Sequence, residues 1–324
     1  MSNTTEKTPN SRPLIKKEHR NKVLITLFLL TALAGGGYWA VVAATSSSAP
    51  PVALALRLAY IAVLYMPVPL YTLLLSRLML GIPIPFRALL SLKHITVKKY
   101  ALVAGLFLAW AVLMIGSVAI LGWLWPDTFG HLATTNGHLV HNLEKLIGTS
   151  VNTSAMNMPP TPLAMLPLGI FGALMAGLTV NAIFAMTEEI MWRGYLAQAF
   201  AGQPFCKKYV TIGVLWGLWH IPLIALGYNY GTANALPGSV LFIGFCVVMS
   251  LVLGFVVERT RSVWLAAVLH GTFNGFSQVM LLLVVGGSSL LASSAVGVVS
   301  LVAWLVVFVG CYISTAFASV TERA

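Results

Sequence analysis

The sequence predicts an all-α, polytopic membrane protein, a bundle of about eight transmembrane helices, and three observations carry the prediction. Hydrophobic residues make up 58% of the 324 positions and charged residues only 8%, with a mean hydropathy of +0.89. Soluble domains carry roughly 25% charged residues, so a water-soluble fold of this length would lack the polar surface to stay dispersed. Apolar windows of about 20 residues recur along the chain, each long enough to cross a bilayer as a helix. Lysines and arginines cluster between alternate windows, as loops on one side of a membrane require.

Each element follows from these signals in turn. Residues 1–22 form a basic tail with Lys7, Arg12, Lys16, Lys17, Arg20 and Lys22, too polar to bury a core. The apolar run Val23–Thr45 exceeds the roughly 7–15 residues of a signal-peptide core and is read as the first span. The second, Val52–Leu75, contains Pro67 and Pro69, which should kink it. Ala101–Trp125 is the third, followed by the longest external loop, Pro126–Pro160. Leu163–Met186, Tyr209–Gly227, Gly238–Val257, Val263–Val285 and Gly297–Phe317 complete the set, with Pro222 near the end of the fifth.

The formal net charge of +11 does not mark a nucleic-acid binder, because the basic residues sit in short clusters between apolar runs. Placing the N-terminus in the cytosol puts 16 of the 19 lysines and arginines on the cytosolic side, the C-terminus with them. The expectation is a multi-pass protein with both termini cytosolic, in a plasma or inner membrane. Cys206, Cys246 and Cys311 have no paired spacing and read as single thiols buried in apolar helices. No Walker A motif is present, so no nucleotide partner is expected. His131, His138, His141 and Glu144 in the external loop lack the companions of a metal site and read as solvated residues. The Asn152-Thr153-Ser154 sequon matters only in a compartment that glycosylates.

The chemistry is concentrated in the few ionisable residues that fall inside apolar runs. Of eight acidic residues, Glu188 and Glu189 alone stand at the end of such a run, followed by Arg193. An ionisable group near hydrocarbon costs on the order of 2.5–3.5 kcal/mol on insertion scales and needs a reason to be there. His220 lies about 18 Å of helix beyond Lys208, and His270 about 14 Å beyond Arg261. A straight fourth helix from Pro167 brings Glu188 roughly 32 Å across, into the same cytosolic half. Three helices are thus expected to place ionisable groups in one layer. Glu189 and Arg193 are spaced i,i+4, as are Trp216 and His220, and His270 and Asn274. Gly213 and Gly217, and Gly271 and Gly275, form G-x-x-x-G pairs that allow helices to approach closely.

A lone buried histidine is more often a packing residue, and Glu189 with Arg193 could simply neutralise charge within one helix. Taken together the residues say more. A carboxylate beside an imidazole can activate water, and a second histidine with an asparagine can stabilise an oxyanion, which describes hydrolysis of an acyl bond. Glu188, His220 and His270 could alternatively hold a divalent metal such as zinc with an open position. Other intramembrane protease designs are excluded: there is no His-Glu-x-x-His, no Gly-x-Ser-x-Gly, and Asp127 is the sole aspartate.

Glu188-Glu189-Ile190-Met191-Trp192-Arg193 resembles the Glu-Glu-x-x-x-Arg motif of the CAAX-processing and bacteriocin-processing (CPBP, or Abi) family of intramembrane proteases. Trp216-Gly217-Leu218-Trp219-His220 is similar to that family's Phe-x-x-x-His motif, and His270-Gly271-Thr272-Phe273-Asn274 to its His-x-x-x-Asn or Asp. The resemblance covers about residues 165–280, with one departure, Trp216 for phenylalanine, expected to alter packing rather than chemistry. It implies an eight-helix bundle with a conical cavity open to the cytosol. Glu188 and His220 would activate water, His270 and Asn274 would hold the oxyanion, and Glu189, Arg193 and Trp216 would support them. The chain then divides into the tail 1–22, N-terminal helices and external loop 23–160, a catalytic core 161–285 and a C-terminal helix and tail 286–324. The expected function is a CAAX-type endopeptidase cleaving near the cytosolic membrane face, its partners a lipidated or apolar peptide and membrane lipid. A non-catalytic scaffold or bacteriocin-immunity protein and a proton-coupled transporter are the alternatives.

Overall fold

The computed structural model describes residues 15–93, 95–287 and 290–321, so most of the basic tail and Arg323 lie outside the described residues. Among the described residues the chain is all-α apart from one two-residue strand pair, His131–Leu132 against Val284–Val285. Among the described residues seven helices are long and apolar enough to cross a membrane, and a bent pair taken as one span brings the number to eight. It is an integral, multi-pass membrane protein.

The first span, α1 (Lys17–Ala44), takes the last residues of the basic tail into helix. It turns through a short loop into α2 (Pro50–Leu80). Arg57 near the start of α2 donates to Thr45 Oγ1 at 2.9 Å and the Val42 carbonyl at 3.3 Å, satisfying the open end of α1. The expected disturbance at Pro67 and Pro69 is taken up by a π-helical turn over Ile61–Tyr65, after which helix resumes at Val68. α3 (Val97–Leu124) leads into the external loop, which carries a helix of its own, α4 (Asn136–Ile147). Asn142 on α4 donates to the carbonyls of Leu282 and Val284, and the strand pair fastens the same loop at that point.

The expected fourth span is not straight. α5 (Met165–Leu178) and α6 (Val180–Glu189) meet at an angle of 55°, with Thr179 between them outside helical geometry at φ −126° and ψ −108°. The distance of about 32 Å from Pro167 to Glu188 is therefore a contour length rather than a depth. α6 runs on through a π-helical stretch, Ile190–Leu196, to Ala199. The bundle closes with α7 (Phe205–Ala225), α8 (Ala235–Thr260), α9 (Val263–Leu283) and α10 (Val298–Thr321).

α9 is the axis of the bundle. Its Gly271 lies against the backbone of Asn181 and Ala182 on α6, where a side chain would strike the neighbouring helix, and Gly275 lies close against Ala173 on α5, where a side chain would fit only if the neighbour gave way slightly. Gly213 and Gly217 do the same for α7, meeting Val247 and Ile243 of α8. Both G-x-x-x-G pairs thus work as close-approach surfaces. Behind α9, Trp110 of α3 stacks on Trp304 of α10 with ring centroids 5.2 Å apart, and Phe273 and Phe276 pack edge-on against the indole of Trp110.

The basic clusters gather at one end of the bundle. There Lys99 donates to the Thr260 carbonyl at 2.7 Å, Lys208 pairs with Glu258, and the Arg20 guanidinium lies over the Phe200 ring. Cys206 stands exposed at this end, contrary to the expectation that all three cysteines are buried; only Cys246 is fully so. Starting α7 at Phe205 leaves Cys206 in the first turn of the helix, outside the packed interior.

Candidate active site

Four helices meet around the intramembrane acids. α6 brings Glu188, Glu189 and Arg193, all 4% exposed or less. α7 contributes Trp216 and His220, and α9 contributes His270 and Asn274. α8 closes the space with Phe242, Phe245, Cys246 and Met249. Glu188, Trp216, His220, His270 and Asn274 line one cavity of about 190 Å³. Glu189 and Arg193 lie behind its wall.

The two adjacent carboxylates have separate partners. Glu189 Oε1 accepts from Arg193 Nη1 at 3.2 Å, the i,i+4 pair expected from the spacing, and lies 3.0 Å from His270 Nδ1 on α9. Buried ion pairs hold only with good geometry and further hydrogen bonds, and the histidine supplies one. Glu188 Oε2 accepts a hydrogen bond of 2.9 Å from Trp216 Nε1. The Arg193 guanidinium carbon lies 4.4 Å from the centroid of the same indole ring, so the cation stacks on the ring whose N–H serves Glu188. The expectation that Trp216 alters only packing therefore fails, because a phenylalanine has no N–H to give. The sequence shows the departure from the motif, but not which neighbour lies within reach.

His220 Nδ1 lies 3.0 Å from the Trp216 carbonyl, four residues earlier on its helix. Only an N–H can serve a carbonyl, so Nδ1 carries the proton and Nε2 is left as an acceptor. The imidazole is wedged between Trp219 and Phe242, with centroids 4.4 and 4.6 Å away, which fixes its plane. Tyr65 on α2 supports this wall by donating to the Trp219 carbonyl at 2.7 Å. Asn274 is exposed at the rim, with Ser277 and Gln278 on the next turn of α9. Tyr228 and Asn229, in the loop after α7, form the opposite rim. Sequence spacing points to none of these four, since loop position and helix rotation are set only by packing. In that loop, burial pushes the Tyr228 phenol up to about 12.

The donors do not suit a metal. Among the described residues, no three of histidine, cysteine, aspartate and glutamate come together as a ligand group, so Glu188, His220 and His270 do not converge on one point. In the external loop, the Glu144 carboxylate accepts from the Val151 N–H at 2.9 Å, and the rings of His131 and His138 pack edge to face.

Comparison with protein families gives a match over the core of the chain. Residues 170–276 fit the family model described as type II CAAX prenyl endopeptidase, Rce1-like. No curated protein matches the chain. The matched stretch runs from α5 to α9 and contains every residue of the three motifs. Residues 170–276 of this chain are thus similar to the Rce1-like CAAX prenyl endopeptidases, the family its motifs resemble.

Proposed function

We propose that the protein is an intramembrane endopeptidase of the CAAX-processing type, in which Glu188 and His220 activate the attacking water. The observation that carries this reading is the shared cavity: Glu188, His220, His270 and Asn274, from three helices, line one small space inside the bundle. A bundle selected for stability alone gains nothing by placing a carboxylate and two imidazoles there.

With Oε2 held by Trp216, Glu188 has Oε1 for water, and His220 Nε2 is a second acceptor that orients it. The water oxygen bonds to the scissile carbonyl carbon while its proton passes to Glu188. His270, as an imidazolium paired with Glu189, presents Nε2–H to the oxyanion, and the Asn274 amide supplies another donor. Collapse of the tetrahedral intermediate breaks the C–N bond, and the proton held by Glu188 goes to the leaving amine. Glu189 and Arg193 act through His270 and the indole rather than on substrate. The substrate is a peptide with a lipidated or strongly apolar end, matching the apolar inner wall of Phe242, Phe245 and Phe273.

The test is proteolysis by purified protein on a panel of farnesylated and unmodified peptides, with Glu188→Ala beside it. Loss of cleavage in a variant that still elutes as folded protein supports the assignment. Full activity of Glu188→Ala overturns it.

A further inference from the structure

Several tyrosines that tie this fold together spend their hydroxyls on carbonyls. Tyr60 donates to Ala34, Tyr65 to Trp219 and Tyr230 to Val296, at 2.9, 2.7 and 2.7 Å. Tyr228 is different. It lines the same cavity as Glu188 and His220, and no group among the described residues hydrogen-bonds to its hydroxyl. Burial, and after it the negative charge of Glu188, push the phenol up to about 12, so it remains a donor at neutral pH.

The loop that carries Tyr228 is fixed by its own backbone. The Tyr228 N–H donates to the Leu223 carbonyl at 3.1 Å, and the Tyr228 carbonyl accepts from the Tyr230 N–H at 2.9 Å. The Gly231 N–H closes the turn on the Gly227 carbonyl at 2.9 Å. Gly227, Asn229 and Gly231 take left-handed conformations, with φ of 95°, 67° and 74°. Glycine enters that region freely and asparagine tolerates it, so these residue types suit the turn. Tyr230 ties the turn to the segment before α10, its ring packed on Gly238 of α8. The backbone groups of Tyr228 are thus satisfied, and its hydroxyl alone is left with an open hydrogen bond. Such a donor is held in place before any ligand arrives.

The other walls of the cavity indicate what this donor serves. On the reading above, Glu188 Oε1 and His220 Nε2 hold the water, while His270 and Asn274 hold the oxyanion. The scissile carbonyl therefore takes its donors from α9. A donor on the loop after α7 meets a different part of the peptide, and an extended chain offers a carbonyl at every residue.

We propose that Tyr228 is a substrate-binding residue, its hydroxyl donating to a backbone carbonyl of the peptide beside the scissile bond. The proposal rests on the protease reading above. A contact to a carbonyl that does not react acts alike in ground and transition states, so it is felt in KM rather than kcat.

Tyr228→Phe removes the hydroxyl and keeps the ring. It is assayed beside wild type and Glu188→Ala on a cleaved peptide, and on copies in which each carbonyl flanking the scissile bond is replaced in turn by a thiocarbonyl, a weaker acceptor. Tyr228→Phe should raise KM about three- to tenfold, the range of a neutral hydrogen bond, with kcat within about twofold and an unchanged unfolding temperature. One thioamide peptide should raise KM in wild type and have no further effect in Tyr228→Phe, a coupling that a merely structural role would not produce. A KM within about twofold of wild type overturns the proposal, as does a thioamide penalty equal in both proteins at every position. A Tyr228→Phe protein that does not elute as folded also overturns it, since the hydroxyl would then be serving the fold. Full activity of Glu188→Ala sinks the protease reading itself, a result distinct from any that Tyr228→Phe can give.

Discussion

Trp216→Phe is the sharpest perturbation of this site, because it removes the indole N–H with its five-membered ring and keeps an aromatic ring. The indole N–H donates to Glu188 Oε2 at 2.9 Å inside a buried space, where water cannot readily replace it. Hydrogen bonds to charged groups contribute about 1.5–3 kcal/mol. Part of that is felt equally in ground and transition states and leaves kcat unchanged. The rest concerns alignment, since Oε1 is aimed at the water only while Oε2 is tethered. With nearly all of it in alignment, at about 1.4 kcal/mol per tenfold change in rate, kcat falls ten- to a hundredfold. KM stays within about twofold, because Trp216 lies beneath Glu188 and not at the rim. The assay is steady-state peptide cleavage in detergent, with a thermal unfolding curve for each protein. A folded Trp216→Phe protein with kcat within twofold of wild type would refute the reasoning and reduce Trp216 to a space-filling residue.

Other outcomes follow from the same geometry. Arg193→Met leaves Glu189 buried beside His270 without its cation, a loss of about 3–5 kcal/mol; folded yield should collapse, and adding Glu189→Gln should restore part of it. Gly217→Leu forces a side chain into the Ile243 backbone and should lower the unfolding temperature and separate α7 from α8, whereas Gly36→Leu, which meets open space, should not. Because Glu188, His220 and His270 do not converge as ligands, incubation with a strong chelator should leave cleavage unchanged. A chelator-sensitive enzyme restored by zinc would overturn that statement.

Much of the architecture was legible in the sequence because lipid imposes length and hydropathy on each span. Glu189 and Arg193 were legible as a pair because i,i+4 spacing fixes proximity along one helix. Their link to His270 was not, because it depends on how α9 is rotated against α6, which Gly271 sets by letting the backbones touch. Trp216 was legible as an aromatic residue but not as a donor to Glu188, for the same reason. The break at Thr179 carried no proline or charge to announce it; α9 holds both sides, with Asn181 donating to the Gly271 carbonyl at 3.1 Å. Exposure of Cys206 turned on a helix boundary, which apolar windows locate poorly.

That break has a consequence for how the protein sits among its lipids. Laid straight, the helical run from Pro162 to Ala199 would measure on the order of 55 Å, against a hydrocarbon thickness of about 30 Å. Splinted by α9, the angle at Thr179 cannot relax to suit the bilayer, so one leg must travel obliquely and the surrounding acyl chains must adjust to it. Acyl chains of different length would then change the strain in the lipid annulus and leave the spacing between Glu188 and His270 untouched.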